Sequence, residues 1–344
     1  MTRRAGVSRS ITTHDVAARA GVSQATVSLV LGGNPRARVA QATRERVVRA
    51  ASDLGYRPNI VARSLVRGRS FTIGVIVPEL ANPFFLDVVA GVQRVATEGG
   101  YAVLVCDARQ TSPGRHVETL RGRQVDGIVI DAVGLESLPV GALDDLQVVL
   151  VDEPSERFPG VASDALAAGR MAAEHLLGLG HRRFAFIGPA TDVHTFRMRE
   201  RGFVGRLREA GIAIPSERLR RAQPAIAPGQ AAMKALLAQR DRATAVFCAN
   251  DLLGLGALKT CLAAGLSVPR DVSLVGCDDI ELARVVTPEL TTVSVPAREL
   301  GARAARLLLR ELDHPDEPRR THKPLPVRLM VRGTTAAPLT PAER

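Results

Sequence analysis

From residue 71 onward, short apolar runs rich in β-branched residues alternate with stretches whose apolar positions repeat at helical spacing. The runs fall at 72–77, 102–106, 127–130, 148–151, 184–187, 245–248 and 273–276. Strand, helix, strand in series predicts parallel sheets, and uninterrupted apolar strands predict sheets covered on both faces. This many units predicts two doubly wound α/β lobes rather than one, with ligands held in a cleft at the strand carboxyl ends.

The first 70 residues have a different rhythm. Thr12-Thr13-His14-Asp15 has capping-box spacing and opens a short amphipathic run, Val16, Ala17 and Ala20. Gly21 allows a tight turn with positive φ, and Ser23 is placed to cap a second helix with Val27, Val30 and Leu31 on its buried face. A third helix, from about Gln41 to Gly55, carries Val47, Val48, Ala51 and Leu54 at helical spacing. Two short helices joined by a glycine turn predict a helix-turn-helix, closed by the third. Ala40, where a capping hydroxyl is expected before that helix, costs it on the order of 1 kcal/mol.

Charge separates the two parts more sharply than pattern does. Residues 1–70 hold 13 arginines against Asp15, Glu45 and Asp53, a net +10, whereas the rest of the chain carries only +1 of the total +11. One end is a polycation suited to a polyanion, and the body is neutral. No apolar run reaches the roughly 18–20 residues of a membrane span, and Met1-Thr2-Arg3-Arg4 leads into no apolar export segment, so a cytoplasmic protein without membrane partners is expected. Cys106, Cys248, Cys261 and Cys277 form no C-x-x-C pair and sit in or beside apolar stretches, as reduced core residues do.

The words Asp15-Val16-Ala17-Ala18-Arg19-Ala20-Gly21-Val22-Ser23-Gln24-Ala25-Thr26-Val27-Ser28, Thr43-Arg44-Glu45-Arg46-Val47, Gly55-Tyr56-Arg57-Pro58-Asn59 and Val61-Ala62-Arg63-Ser64-Leu65 resemble the DNA-binding headpiece of the lactose/galactose repressor family. The resemblance continues through Pro78-Glu79-Leu80-Ala81-Asn82-Pro83-Phe84-Phe85, Gly180-His181-Arg182-Arg183, Arg199-Glu200-Arg201-Gly202-Phe203, Asn250-Asp251 and Thr287-Pro288-Glu289-Leu290-Thr291-Thr292. It implies a headpiece over 1–57, a hinge helix and linker over 58–69, an N-terminal lobe over 70–163 and 296–322, a C-terminal lobe over 164–295 and 323–338, and a tail over 339–344. The lobes would have the build of periplasmic binding proteins.

For the headpiece, the resemblance implies that the second helix enters the major groove of double-stranded DNA with Gln24 and Ala25 at base-reading positions. A glutamine can bridge adenine N6 and N7, and an alanine methyl can meet a thymine methyl. Leu29 holds a third such position, where relatives often carry a polar or basic residue. Thr12, Ser23, Thr26 and Ser28 are candidates for phosphate contacts or for caps, and Tyr56, Asn59 and Arg63 complete the DNA-facing set. Leu65 matches the apolar wedge that hinge helices push between base pairs from the minor groove. So short a helix is marginal in water and should form only when DNA and a partner subunit hold it.

For the body, the resemblance implies a small-molecule effector between the lobes, touched by Asn82, Phe84, Phe85, Thr195, Arg199, Phe247, Asn250 and Asp278. Asp131 joins them by its place after the 127–130 run, as do Asp251 and Asp279 after theirs. Carboxylates and amides suit hydroxyl pairs, arginine suits carboxylate or phosphate, and phenylalanine offers an apolar face. The chain has no Trp and only Tyr56 and Tyr101, so stacking falls to Phe. Ser163 stands about where some relatives place Asp, and Val193 near an Arg of a purine-binding relative, which takes support from a purine ligand. A sugar, a sugar derivative or another small polar metabolite fits. No cofactor is expected beyond it.

Words of catalysis are missing. Lys259-Thr260 lacks the preceding glycine of a P-loop, there is no G-x-S-x-G or H-E-x-x-H, and the seven histidines show no metal-ligand spacing. The expectation is a non-enzymatic regulator, a homodimer on a pseudo-palindromic operator, probing DNA in a manner coupled to its effector. Residues 334–344 hold no leucine heptads, so dimers rather than tail-tied tetramers are expected.

Overall fold

The computed structural model describes residues 11–31, 39–56, 68–109, 111–131, 138, 141–189, 193–315 and 323–339. Its chain divides into two compact units, 1–70 and 71–344.

In the first unit, α1 (Thr13–Ala20) begins at a complete capping box: the Thr12 backbone N–H donates to the Asp15 carboxylate at 2.8 Å, and the Asp15 N–H returns to the Thr12 hydroxyl. Gly21 ends it in the left-handed region, φ 65°, bonding back to Ala17 and Ala18. The Ser23 hydroxyl then accepts from Thr26 N–H at 3.2 Å and caps α2 (Gln24–Leu31). With α3 (Gln41–Asp53) the three enclose a core of Val16, Ala17, Ala20, Val27, Val30, Val47, Ala50 and Ala51, over which Leu31, Leu54 and Tyr56 pack. Val48, expected in that core, is 51% exposed, because one position past Val47 turns it about 100° away and Ala50 fills the seam instead. Ala40 makes no side-chain cap. The hinge-helix expectation for 58–69, with Asn59, Arg63 and Leu65, lies outside the described residues except at its end.

The second unit is built on two sheets. In the first, β1 (Thr72–Val77), β2 (Ala102–Asp107), β3 (Gly127–Asp131), β4 (Gln147–Val151) and β5 (Gly160–Val161) run parallel in the order β2-β1-β3-β4-β5. Helices α4 (Pro83–Glu98) and α5 (Pro113–Gly122) connect its strands. The chain crosses to α6 (Ala165–Gly178), and the second sheet is β6 (Phe184–Gly188), β7 (Leu219–Arg221), β8 (Ala245–Cys248), β9 (Ser273–Asp278), β10 (Thr291–Ser294) and β11 (Arg328–Met330). Their order is β11-β10-β9-β8-β6-β7, parallel except at β11. It is served by α7 (His194–Glu209), α8 (Ile226–Leu237), α9 (Asp251–Ala263) and the single turn α10 (Leu282–Val285). The chain then returns, and α11 (Ala297–Asp313) packs on α4, β3 and β4 before the last segment joins the second sheet.

All seven expected runs are strands, and β1, β3, β4, β6, β8 and β9 are buried almost throughout, as strands covered on both faces must be. The exception is the edge strand β2, where Leu104 and Val105 are 38% and 39% exposed. Cys248, Cys261 and Cys277 are buried thiols, and Cys106 on that edge is half-buried.

Candidate functional site

The helix-turn-helix presents one face of α2 outward. Val27 and Val30 anchor it, which leaves Gln24, Ala25, Ser28 and Leu29 exposed, Leu29 at 44%. Thr12 and Ser23 spend their hydroxyls on helix caps, and Thr26 shares a hydrogen bond with Ser23 at 2.9 Å. The Tyr56 ring packs on the headpiece core.

In the body, the carboxyl ends of strands from both sheets converge on a cavity of about 710 Å³. From the first sheet come Asp131, ending β3, and Asp152, just past β4 with φ 53°. Asn82 caps α4 through the Phe84 N–H at 3.1 Å and so seats Phe84 and Phe85 at the mouth, their rings 5.3 Å apart. Glu79 and Arg109 pair beside them. From the second sheet come Thr195, Phe196 and Arg199 on α7, Gln223 beyond β7, and Asp278 ending β9.

The floor is made of buried ionisable groups. Arg199 is 2% exposed, donates to the Ala249 carbonyl at 2.6 Å and meets the Asp278 carboxylate at 2.9 Å, with its guanidinium carbon 5.5 Å from the Phe196 ring centre. Burial nevertheless lifts the Asp278 carboxyl to about 7, with Arg199 opposing and Asp251 and Asp152 adding to it. Burial also raises Asp152, against the pull of the Ser163 N–H, Arg199 and the Ser163 hydroxyl. Those Ser163 groups donate to Asp152 at 2.6 and 2.9 Å, and the Thr195 hydroxyl bonds the Asp152 carbonyl at 3.0 Å.

Asn82, Phe84, Phe85, Asp131, Thr195, Arg199 and Asp278 thus meet in one cavity. Phe247 does not line it: the ring is fully buried against Phe203 and Phe186, centroids 5.0 and 5.7 Å away, because β8 is an interior strand whose side chains enter the core. Asn250 stands outside the lining too. Its carbonyl oxygen caps α9 through Leu253 N–H at 3.0 Å, while its buried Nδ2 has no partner among the described residues. Asp251 bonds Thr292 and Ile280, and Asp279 pairs with Arg284 and Arg332, so neither faces the cavity. Asp152 was the omission; it follows the 148–151 run as Asp131 follows its own, and the same signal finds it.

Residues 12–59 match the model of bacterial regulatory proteins of the lacI family, and residues 173–335 match that of the periplasmic binding protein-like domain. The chain is 36% identical to the HTH-type transcriptional repressor CytR of Escherichia coli (strain K12), over 88% of its own length and 89% of that protein's. The chain belongs to the LacI family. Another relative, the HTH-type transcriptional repressor PurR of Photobacterium profundum, is 32% identical over 90% of this chain and 94% of its own. Among solved structures, the lac repressor dimer bound to operator and the anti-inducer ONPF superposes with a TM-score of 0.82 at 28% identity, covering 96% of this chain and all of that one. The complex of the transcriptional regulator CelR with cellobiose gives 0.70 at 32% identity, over 94% and 99%. These LacI-family proteins are regulators rather than enzymes, and no described helix is long and apolar enough to cross a membrane.

Proposed function

We propose that this protein is a transcriptional repressor that binds a pseudo-palindromic operator as a homodimer and answers to a small polar metabolite, a sugar or a relative of one, held between its lobes. One observation carries the reading: α2 turns Gln24, Ala25, Ser28 and Leu29 away from its core inside a segment of net charge +10, while a separate unit encloses a cavity with buried charged groups and phenylalanine rings at two sets of strand ends. Gln24, Ala25 and Leu29 read bases, and Ser28 with the arginines meets phosphate. Asn82, Phe84, Phe85, Asp131, Asp152, Thr195, Arg199 and Asp278 take the effector. The solved lac repressor dimer on its operator supports the dimer, and the cellobiose complex of CelR supports the ligand class. Working on chromosomal DNA places it in the cytoplasm.

The effector acts by preferring one relative orientation of the lobes, so that operator affinity changes by the same coupling free energy in both directions, typically about 1–3 kcal/mol. The test is selection of bound duplexes from a random pool with the full-length protein at fixed salt, with and without a panel of sugars. An enriched palindrome supports the reading. A protein that enriches no sequence under any condition overturns it.

A further inference from the structure

The cavity floor holds more acid than base. Asp131, Asp152 and Asp278 are all buried there, and Arg199 is the one buried cation beside them among the described residues; Glu79 and Arg109 at the rim pair with each other. The three acids differ in what satisfies them. Asp152 is bonded by Ser163, and Asp278 is met by Arg199. Asp131 is fully buried, lines the cavity, and has no hydrogen-bond partner on either carboxylate oxygen among the described residues. A carboxyl group buried without partners is expensive, whether it stays charged or gives up two acceptor sites. Burial, with the Asp152 and Asp278 carboxylates adding to it, pushes Asp131 well above the ordinary range.

A neutral polyol can fill those acceptor sites but cannot offset the charge that Asp131 regains when it is deprotonated. An ammonium does both: it donates up to three hydrogen bonds and neutralises the site in a low dielectric, where the attraction is strongest. Resting on the reading of this cavity as the effector site, we propose that the effector is a protonated amine, such as an amino sugar, with Asp131 as its counter-ion and the Phe84 and Phe85 rings against its carbon skeleton.

Matched pairs differing only in the amine test this. The full-length protein is titrated at pH 7.5 with D-glucosamine and D-glucose, D-galactosamine and D-galactose, D-mannosamine and D-mannose, and putrescine and 1,4-butanediol, and binding is followed by melting temperature and calorimetry. At least one amine should bind ten-fold or more tighter than its neutral twin. Asp131→Asn should bring that ratio to within about two-fold, and should melt at or above the wild type without ligand, because an amide can donate to the neighbouring carboxylates. Equal or tighter binding of the neutral members overturns the amine while leaving the cleft as the effector site. Binding of no compound overturns the inference and counts against the effector reading as well.

Discussion

Ser163 donates both its backbone N–H and its hydroxyl to the carboxylate of Asp152, at 2.6 and 2.9 Å. Asp152 lines the cavity, whereas Ser163 sits in the segment that crosses from the first sheet to α6 and forms a β-bridge with Leu325 of the last crossing segment. The bonds therefore tie a cavity wall to two of the segments that cross between the sheets. If the effector shifts Asp152, these segments, which join the two lobes, are expected to shift with it and so change the orientation of the lobes.

Ser163→Ala should accordingly separate binding from response. The lost hydroxyl leaves a buried carboxylate one partner short, at a cost of about 1–3 kcal/mol to stability. Effector binding should persist, but its effect on operator affinity should shrink several-fold. Urea denaturation and operator titrations with and without effector measure the two quantities; an unchanged coupling refutes the role.

His181 gives the body a pH dependence whose sign is fixed by its surroundings. The ring is buried between the Thr244 and Ser273 hydroxyls and the Ala336 carbonyl, at 2.9, 3.1 and 3.0 Å. Burial pushes it down to about 4, the Ala336 bond opposing and nearby His175 adding. Below the ordinary value of about 6.5 the unfolded chain takes up a proton that the folded protein refuses until about pH 4, so stability falls across that window. Asp278 and Asp251, lifted to about 7 and about 6, act oppositely: the unfolded chain holds their protons less well, and they favour the fold as pH drops. The contribution of His181 is isolated by comparison with His181→Gln. The stability gap between wild type and variant should narrow as pH falls from 6.5 towards 4 in urea denaturation series, and a constant gap contradicts the assignment.

What could be read in advance followed from local physics. Caps, the glycine turn and apolar runs lie within a few residues of each other, so the helix-turn-helix and seven strands were visible in the chain. β5, β7, β10 and β11 were not: two residues, Gly160–Val161, and the charged triplet Leu219–Arg221 carry no strand signal, Thr291–Ser294 and Arg328–Met330 are only four and three residues long, and their neighbours in the sheet make them strands. Phe247 and Asp251 show the same limit at the site. Each stands beside a strand end, but whether its side chain enters the cavity or the core is decided by partners such as Phe203 and Thr292, 44 and 41 positions away.

Gly202 holds the site in place through packing alone. A Cβ there would come within 2.1 Å of the Leu166 carbonyl oxygen on α6, and one on Gly169 within 1.9 Å of the Arg199 carbonyl oxygen. The two glycines let α6 and α7 approach backbone to backbone, and α7 carries Thr195 and Arg199 into the cavity. Gly202→Ala should push α7 outward, destabilise the body by about 1–3 kcal/mol and weaken effector binding more than Gly205→Ala on the same helix, where a Cβ meets nothing within 4 Å. Melting curves and ligand titrations of the two variants check this, and equal behaviour would falsify it.

If Leu29 reads bases as proposed, it bears on which bases the headpiece selects. It lies one turn from Ala25 on the exposed face of α2, so the two form an apolar strip where a polar side chain would offer hydrogen bonds. Such a strip distinguishes base pairs by the thymine 5-methyl group, the one apolar feature of the major-groove edge. Each buried methyl contributes about 0.8 kcal/mol, or roughly a four-fold change in affinity. Replacing the contacted thymine by deoxyuridine in the selected operator should weaken wild-type binding by about that factor and leave Leu29→Ala insensitive, since the partner of the methyl is then already gone. Leu29→Arg should instead shift the selected base at that position towards guanine, whose O6 and N7 accept the guanidinium. Gel-shift titrations at constant salt measure both, and a deoxyuridine operator bound as tightly as the thymine one by the wild type shows that Leu29 does not read the methyl.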